Sequence, residues 1–287
     1  MKEITIGEKT YDCSHNVLIM GILNVTPDSF SDGGKYNTLE KAIQQAKTMA
    51  KQGADIIDIG GESTRPGSKQ VQLKEEIQRV IPIIEQLSDE ISTPLSIDTY
   101  KSEVAKQAIH AGVVMVNDIT ALTGDSSMVS IIAQSDVSVC LMHMKGTPQN
   151  MQQNPTYSDV VFEIKSFLKK QAAYAIKNNI LKERIIIDPG LGFGKRTGKG
   201  VEDNCEILHR LAEFKSLGFP LLVGASRKTF IGNVCGKELP LPVNDRLEGS
   251  LAAACIAALN GANILRVHDV KETKRCLNII ECLQRIT

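Results

Sequence analysis

Residues 185–195 read Ile-Ile-Ile-Asp-Pro-Gly-Leu-Gly-Phe-Gly-Lys, and the pattern of this stretch recurs along the chain. A short apolar run, typical of a buried strand, ends at Asp188 and is followed by a turn rich in Gly and Pro. Similar runs begin near Val17, Ile56, Pro94, Val113, Val137, Pro220 and Ile264. Nearly every run ends in polar residues able to bind a ligand or a metal, namely Asn24, Glu62 with Thr64, Asp98, Asn117, His143, Asp188, Lys228 and His268.

The segments between these runs have helical periodicity. The first predicted helix has an apolar face from Leu39 to Ala50, Asn37 as its N-cap and Gly53 at its end. Further helices are predicted at 73–88, 101–110, 126–134, 159–178, 202–217, 246–260 and 270–284, the last opening with a capping box of Asp269 and Glu272. Eight alternating strand and helix units predict an α/β fold, a (β/α)8 TIM barrel whose functional residues lie at the carboxyl ends of the strands.

Other segments fit the same single barrel domain over residues 1–287. Residues 4–11 alternate about a glycine turn and predict a short N-terminal β-hairpin, which we expect to close the bottom of the barrel. No repeat or interdomain linker interrupts the pattern. The connections 24–38, 145–158 and 232–245 are long enough to be lids or binding loops on the active-site face.

Composition argues against several classes of partner. Lys plus Arg equals Asp plus Glu at 33 each, so no global field favours nucleic acid or an acidic membrane surface. The N-terminus has no apolar signal segment, and the most apolar stretch, 251–267, is too short to span a bilayer. Seven cysteines without a CxxC pair predict buried, reduced thiols. We therefore expect a soluble, cytoplasmic protein with small-molecule substrates and neither nucleic acid nor membrane as a partner.

Seven motifs follow successive predicted strands in a fixed order. They are NVTPDSFSDGG at 24–34, GGESTRPG at 60–67, IDTYK at 97–101, VNDI at 116–119, DPGLGFGK at 188–195, SRK at 226–228 and RVHD at 266–269. Each motif alone is a weak signal. Together, at barrel spacing, they resemble dihydropteroate synthase, a family of pterin-binding TIM barrels in folate biosynthesis.

The resemblance implies a transferase that condenses 6-hydroxymethyl-7,8-dihydropterin diphosphate with 4-aminobenzoate to give 7,8-dihydropteroate and diphosphate. In this family the loss of diphosphate leaves a cationic pterin methylene, which the arylamine attacks. Mg2+ is the implied cofactor, and Asn24 is the implied ligand that positions it on the diphosphate. The family is a sulfonamide target, and its members are commonly homodimers, which we expect to form here through the later helices.

The resemblance also assigns roles to residues. Asp98, Asn117, Asp188 and Lys228 match the pterin pocket, with Met142 and Phe193 as apolar walls. Arg266 and His268 lie two apart on one strand, face the same side, and resemble the diphosphate site. The implied catalytic residues are Asp98, Lys228, Arg266 and His268. Phe30, Thr64, Arg65 and Pro66 match mobile loops that cover the 4-aminobenzoate site.

Several interpretations stay open at this stage. Asp98 is also a possible cap for the next helix, His268 a possible core histidine, and Met142 plain packing. After Lys195, the segment 196–201 is rich in Gly and Lys but fits no phosphate-loop motif, so we predict a solvated loop. Two other functions compete: a corrinoid-linked methyltetrahydrofolate methyltransferase, which we would not expect to carry STRPG and SRK, and a non-catalytic pterin-binding paralogue.

Overall fold

The computed structural model describes residues 3–26, 35–65, 67–198 and 201–285. The strands in chain order are β1 (Glu3–Ile6), β2 (Lys9–Asp12), β3 (Leu18–Asn24), β4 (Ile56–Gly60), β5 (Leu95–Asp98), β6 (Met115–Asp118), β7 (Ser138–Met142), β8 (Ile185–Asp188), β9 (Thr197–Gly198), β10 (Val201–Glu202), β11 (Leu222–Val223) and β12 (Ile264–Val267). Eight of them form one parallel sheet in the order β11-β12-β3-β4-β5-β6-β7-β8. A parallel bridge between Ile187 and Leu221 joins its two edges, so the sheet closes into the predicted barrel.

Helices connect the barrel strands. They are α1 (Lys35–Lys51), α2 (Leu73–Glu90), α3 (Ser102–His110), α4 (Met128–Ala133), α5 (Val160–Lys177), α6 (Asp203–His209), α7 (Thr229–Cys235), α8 (Leu247–Leu259) and α9 (Val270–Gln284), with 3-10 turns at Lys182–Arg184, Leu211–Leu217 and Val243–Asp245. Most bounds lie within two residues of the prediction. The predicted helix 202–217 instead splits into α6 and a 3-10 turn. The short α7 was not predicted, because two turns carry too few residues to show a period.

The lower half of the barrel is an apolar core closed by the N-terminal hairpin. Ile4 and Ile6 of β1 are buried against inward-facing side chains of the barrel strands, which include Leu18, Met20, Ile56, Met115, Cys140, Ile186, Leu222 and Ile264. Most of these residues lie near the amino ends of their strands. The expectation that the hairpin closes the bottom of the barrel is therefore confirmed.

Polar residues fill the upper half of the interior. Strand pairing aligns Asn24 with Gly60, Gly60 with Asp98, and Asp98 with Asn117. Side chains alternate between the two faces of a strand, so residues two positions above an inward apolar residue also point inward. The charged residues of the upper half thus meet at one end of the barrel, where the strands finish.

The predicted N-terminal caps of the first and last helices differ from the structure. Helix α1 begins at Lys35, so Asn37 lies inside its first turn, although Gly53 ends the helix as predicted, with φ +99°. Asp269 precedes α9 but makes no side-chain cap bond. Its carboxylate instead accepts two hydrogen bonds from Arg227, at 3.0 and 2.5 Å. Asp269 therefore pairs with the charged Arg227, which follows β11, and not with a backbone N–H of α9.

The cysteines are free, but they are not uniformly buried. Cys13 and Cys140 are buried, whereas Cys205, Cys235 and Cys282 are exposed. The prediction of buried thiols is wrong for these three, because α6, α7 and α9 lie on the outside of the barrel. Among the described residues, no helix is both long enough and apolar enough to cross a membrane.

Candidate active site

A buried guanidinium between two carboxylates lies at the centre of the polar end. Arg266 donates one hydrogen bond from Nε to Asp58 Oδ2 and another from Nη2 to Asp98 Oδ2, and each is 2.6 Å long. Asn117 Nδ2 donates to the same Asp58 oxygen at 3.0 Å. The sequence prediction missed Asp58. A signal was present, because Asp58 is the single charged residue in the apolar run 56–60 and has the inward parity of Ile56 and Gly60.

Burial and neighbouring charge set the protonation of this cluster. Burial raises the pKa of Asp98 to about 7; the Asp58 carboxylate adds to the rise, and Arg266 opposes it. Burial alone would lower the pKa of Arg266, but the adjacent Asp58 and Asp98 carboxylates outweigh it and raise that pKa. The arginine therefore stays charged, and Asp98 is held near the point where it can gain or lose a proton.

A cleft lies beside this cluster, and Asp98 and Arg266 form part of its wall. Its lining includes Thr64, Asp98, Asn117, Ile119, Met142, Asp188, Gly190, Leu191, Phe193, Gly224, Lys228 and Arg266. Asp98 and Asn117 each have a buried Oδ1 atom with no hydrogen-bond partner among the described residues. Leaving a buried acceptor unpaired costs about 1–3 kcal/mol. The cleft is therefore matched to a ligand that carries N–H donors.

Asp188 and Lys228 form another side of the cleft. Asp188 is only 4% exposed and accepts the Gly190 N–H at 2.7 Å, while burial raises its pKa. The Lys228 ammonium lies 4.0 Å from the ring centroid of Phe193. Burial and the charge of Arg266 lower the pKa of Lys228 to about 8. The cleft thus has an acceptor edge and a cationic donor close to an aromatic face.

Lys195, the last residue of the motif 188–195, lies immediately before the predicted loop. Its side chain is fully buried, and its ammonium donates to Gly190 O at 2.8 Å and Phe193 O at 2.9 Å, with His143 Nδ1 at 3.1 Å. Burial lowers its pKa to about 7. Gly194 allows this packing, since a Cβ there would lie 2.3 Å from Lys145 O. Lys195 therefore fixes the turn that carries Phe193, and the predicted loop that follows contributes to the antiparallel pairing of β9 with β10.

His268 lies on the opposite side, beside several cationic groups. Its Nδ1 is 3.0 Å from Ser226 Oγ. Burial lowers its pKa to about 3, and the charges of Arg266, Arg227 and Arg65 act in the same direction. The imidazole is thus neutral mainly because it is buried, and the positive potential that the arginines add at this point is suited to an anion.

The cleft brings together Thr64, Asp98, Asn117, Met142, Asp188, Phe193, Lys228 and Arg266. Asn24, Arg65 and His268 lie outside its lining, and Phe30 and Pro66 fall outside the described residues. Asp98 makes no cap bond to α3, so the capping interpretation is not supported. Met142 packs against Ile119, Met151 and Phe193, so its side chain is both packing and cleft wall.

Asn24 and Asp98 border the same space at the rim. A Cβ built on Gly60 would lie 3.8 Å from Asn24 Oδ1 and from Asp98 Oδ2. Glycine leaves this space open. An amide oxygen and a carboxylate thus approach one point between the acceptor-lined cleft and the end of β3.

Together, the closed barrel and its acceptor-lined cleft define a (β/α)8 protein whose cleft is suited to a ligand that carries N–H donors. The family described as pterin binding enzyme matches residues 20–268. A dihydropteroate synthase of Synechocystis is 46% identical over 98% of this chain and 95% of its own length. The chain belongs to the dihydropteroate synthase family.

Solved structures agree with this assignment. The Yersinia pestis dihydropteroate synthase with a sulfonamide drug complex superposes with a TM-score of 0.91 at 42% identity, over 99% of each chain. The Xanthomonas albilineans enzyme with 4-aminobenzoic acid superposes with a TM-score of 0.90 at 42% identity, over 100% of this chain and 99% of that one. The Xanthomonas albilineans enzyme with 7,8-dihydropteroate superposes with a TM-score of 0.86 at 40% identity, over 99% of this chain and 100% of that one.

Proposed function

We propose that this enzyme is a dihydropteroate synthase, a transferase that joins 6-hydroxymethyl-7,8-dihydropterin diphosphate to 4-aminobenzoate and releases diphosphate. The observation that carries the proposal is the cleft in which Asp98 Oδ1 and Asn117 Oδ1 are buried without partners beside Asp188 and Lys228. Relatives bound to 4-aminobenzoic acid and to 7,8-dihydropteroate supply the second substrate and the product class. The methyltransferase alternative has no comparable support.

The pterin ring uses the cleft through its hydrogen-bonding edge. A pterin presents a guanidine-like set of N–H donors beside a carbonyl. Asp188 accepts paired N–H groups, Asn117 offers both a donor and an acceptor, and Lys228 donates to the carbonyl or a ring nitrogen. Phe193 and Met142 cover the ring faces. Each of these residues lines the cleft.

The charge of the cluster favours the cation that forms when diphosphate leaves. Two carboxylates, Asp98 and Asp188, line the cleft, so both can lie near the cation as it develops. At an effective dielectric of 20 and about 4 Å, an opposite charge is worth roughly 4 kcal/mol before desolvation. A developing cation also favours the ionised form of Asp98, whose pKa burial raises to about 7.

The diphosphate and its Mg2+ belong on the side of Asn24 and His268. Within the described parts of the chain, no group of three or more His, Cys, Asp or Glu could hold a metal ion. The Asn24 amide oxygen is nonetheless a hard ligand of the kind Mg2+ prefers, and this ion commonly takes its other ligands from phosphates and water. When bound, Mg2+ would neutralise charge on the leaving group. Ser226, His268 and Arg65 would orient the same phosphates.

The metal and anion assignment can be tested by comparing two ligands. Removing Mg2+, or the change His268→Ala, should weaken binding of the pterin diphosphate much more than binding of the bare hydroxymethylpterin. Isothermal titration of both ligands measures the difference. Equal losses for the two ligands would show that these groups hold the ring or the fold.

The arylamine approaches beneath the segment that carries Thr64 and Arg65. Thr64 lines the cleft, and Arg65 is exposed above it. A sulfonamide resembles 4-aminobenzoate in shape and charge, so it should compete with that substrate. Steady-state turnover with Mg2+, both substrates and a sulfonamide tests the function directly; a parent enzyme that binds pterin but gives no product would be a non-catalytic paralogue.

Helices α8 and α9 support a homodimer. Ile256, Leu259, Ile279 and Leu283 are between 45% and 65% exposed on these two helices. Ile256 and Leu259 are three residues apart on α8, and Ile279 and Leu283 are four apart on α9, so each pair shares one face of its helix. Exposed apolar patches mark interaction sites, and a second copy of the chain would cover these side chains. The change Ile279→Glu should shift the mass in light scattering from dimer to monomer.

The free thiols fit the reducing cytoplasm, where we propose that the enzyme works.

A further inference from the structure

Outside the cleft, Lys101 holds together two buried carboxylates. Its Nζ donates to Glu62 Oε2 and Glu76 Oε2 at 2.5 Å each, and to the backbone oxygen of Val71 at 2.6 Å. The side chains of Glu62 and Glu76 are 6% and 1% exposed. The ionised state of both carboxylates depends on the Lys101 ammonium, because without it each would be a buried charge with no opposite charge beside it.

Neighbouring residues complete the hydrogen bonding of this Lys101 cluster. Tyr100 Oη donates to Glu62 Oε1 at 3.0 Å, and Thr99 Oγ1 donates to Glu76 Oε1 at 2.8 Å. All four carboxylate oxygens therefore have a donor. A fully satisfied buried network of this kind fixes the geometry of the backbone that carries it.

The cluster fastens both ends of one segment. Glu62 lies two residues beyond the end of β4, and Val71 lies two residues before the start of α2. Glu76 belongs to α2, and Lys101 immediately precedes α3, so the segment 62–71 is tied to two helices of the barrel wall. Arg79 Nη1 adds a bond to the backbone oxygen of Gly61 at 2.7 Å.

The fastened segment carries groups assigned to the arylamine side of the site. Thr64 lines the cleft, and Gly67 donates its N–H to Pro148 O at 3.0 Å, so the segment also rests on the connection 145–158. Lys101, Glu62 and Glu76 do not line the cleft. None of the three therefore touches a ligand in the cleft directly; Glu76 also adds to the raised pKa of Asp98, so the experiment has to separate the arylamine from the pterin.

We infer that Lys101 is a positioning residue for 4-aminobenzoate, which holds the segment 62–71 in place beside the cleft through Glu62, Glu76 and Val71. This inference rests on the proposed function for the identity of the arylamine. Without Lys101 the two carboxylates repel each other across the base of the segment, and the segment moves away from the cleft. The pterin contacts come from strand ends and the 188–195 turn. Among them Asp98 is near the cluster, through the bond from Thr99 to Glu76, whereas Asn117, Asp188 and Lys228 make no bond to it.

The test compares three variants with the parent enzyme. Lys101→Met should raise the KM for 4-aminobenzoate at least tenfold and leave the Kd for pterin diphosphate within threefold. Tyr100→Phe removes one donor to Glu62 and keeps the ring, so it should raise the same KM about threefold. Lys106→Met is the matched control, because Lys106 is an exposed lysine of α3, and it should change neither constant.

Amide hydrogen exchange supplies a readout that needs no turnover. In Lys101→Met, peptides from 62–72 should exchange at least tenfold faster, with 185–195 unchanged; Lys101→Arg should recover part of the protection. Equal acceleration in both peptides, or none in 62–72, would overturn the inference, as would equal losses for the two substrates. If Lys101→Met fails to fold, the KM for 4-aminobenzoate and the amide exchange of 62–72 are measured on Tyr100→Phe instead. A KM for 4-aminobenzoate equal to that of the parent enzyme would then refute the role. A parent without turnover would instead defeat the proposed function.

Discussion

Replacing Asp188 by Asn should reverse one edge of the pterin cleft while leaving the fold intact. In the parent, Asp188 Oδ1 accepts the Gly190 N–H at 2.7 Å. An asparagine can keep this bond with its amide oxygen. Its NH2 group must then occupy the position of the second carboxylate oxygen, where it meets the N–H donors of the pterin.

The size of the effect follows from what is lost. A hydrogen bond to a charged group contributes about 1.5–3 kcal/mol, and an opposed buried donor costs about 1–3 kcal/mol. Asp188 is only 4% exposed, so water can compensate little of this. We expect a loss of about 3–4 kcal/mol, which weakens binding by roughly two to three orders of magnitude. Isothermal titration with pterin diphosphate measures it.

Asp118 provides a matched control on β6. It is also fully buried, but its carboxylate accepts bonds from Thr120 N and Leu122 N, each at 2.8 Å, and does not line the cleft. Asp118→Asn should lower the free energy of unfolding by about 1–3 kcal/mol and leave the pterin affinity within twofold. Asp188→Asn should show the opposite pattern. Pterin affinity unchanged within twofold in Asp188→Asn would refute the assignment.

Three further predictions concern charge and the arylamine loops. Lys228 has a pKa of about 8, so pterin affinity should fall as the pH rises through 8, whereas Lys228→Arg should give a flat profile up to pH 10 in the same titration. Arg266→Met leaves buried carboxylates unpaired and should lower the free energy of unfolding by about 3–5 kcal/mol in urea denaturation. Since the folded-state pKa of Asp98 is already raised and would rise further, the folded state binds the proton more tightly than the unfolded state, and the deficit should shrink as the pH falls from 8 to 5. Phe30→Ala and Pro66→Ser should raise the KM for 4-aminobenzoate with little change in pterin diphosphate binding; an effect confined to the pterin substrate would contradict the loop assignment.

The barrel itself was predictable because its signals are local. An apolar run near Ile185 that stops at Asp188 indicates a buried strand and its exit without any knowledge of the neighbouring strands. The connectivity of a (β/α)8 barrel then places all the strand exits at one end. Parity along one strand was sufficient to group Arg266 with His268, and the seven motifs were sufficient to indicate the family.

Partner choice was not predictable, because it depends on distances across the closed barrel. Arg266 meets Asp58 and Asp98, which are 208 and 168 residues away in sequence. Lys195 resembles a solvated lysine in a Gly-rich loop until the fold surrounds it with three backbone oxygens and an imidazole.

The sequence by itself determined where the strands end, which side chains share a face, and which family the motifs resemble, since each of these follows from spacing along the chain. Only the tertiary structure decided that Asp269 pairs with Arg227 and does not cap α9. It also decided that Lys101 joins Glu62 to Glu76. A side chain with several possible partners takes the one that closure of the barrel brings within hydrogen-bonding distance, and burial then makes that choice costly to reverse.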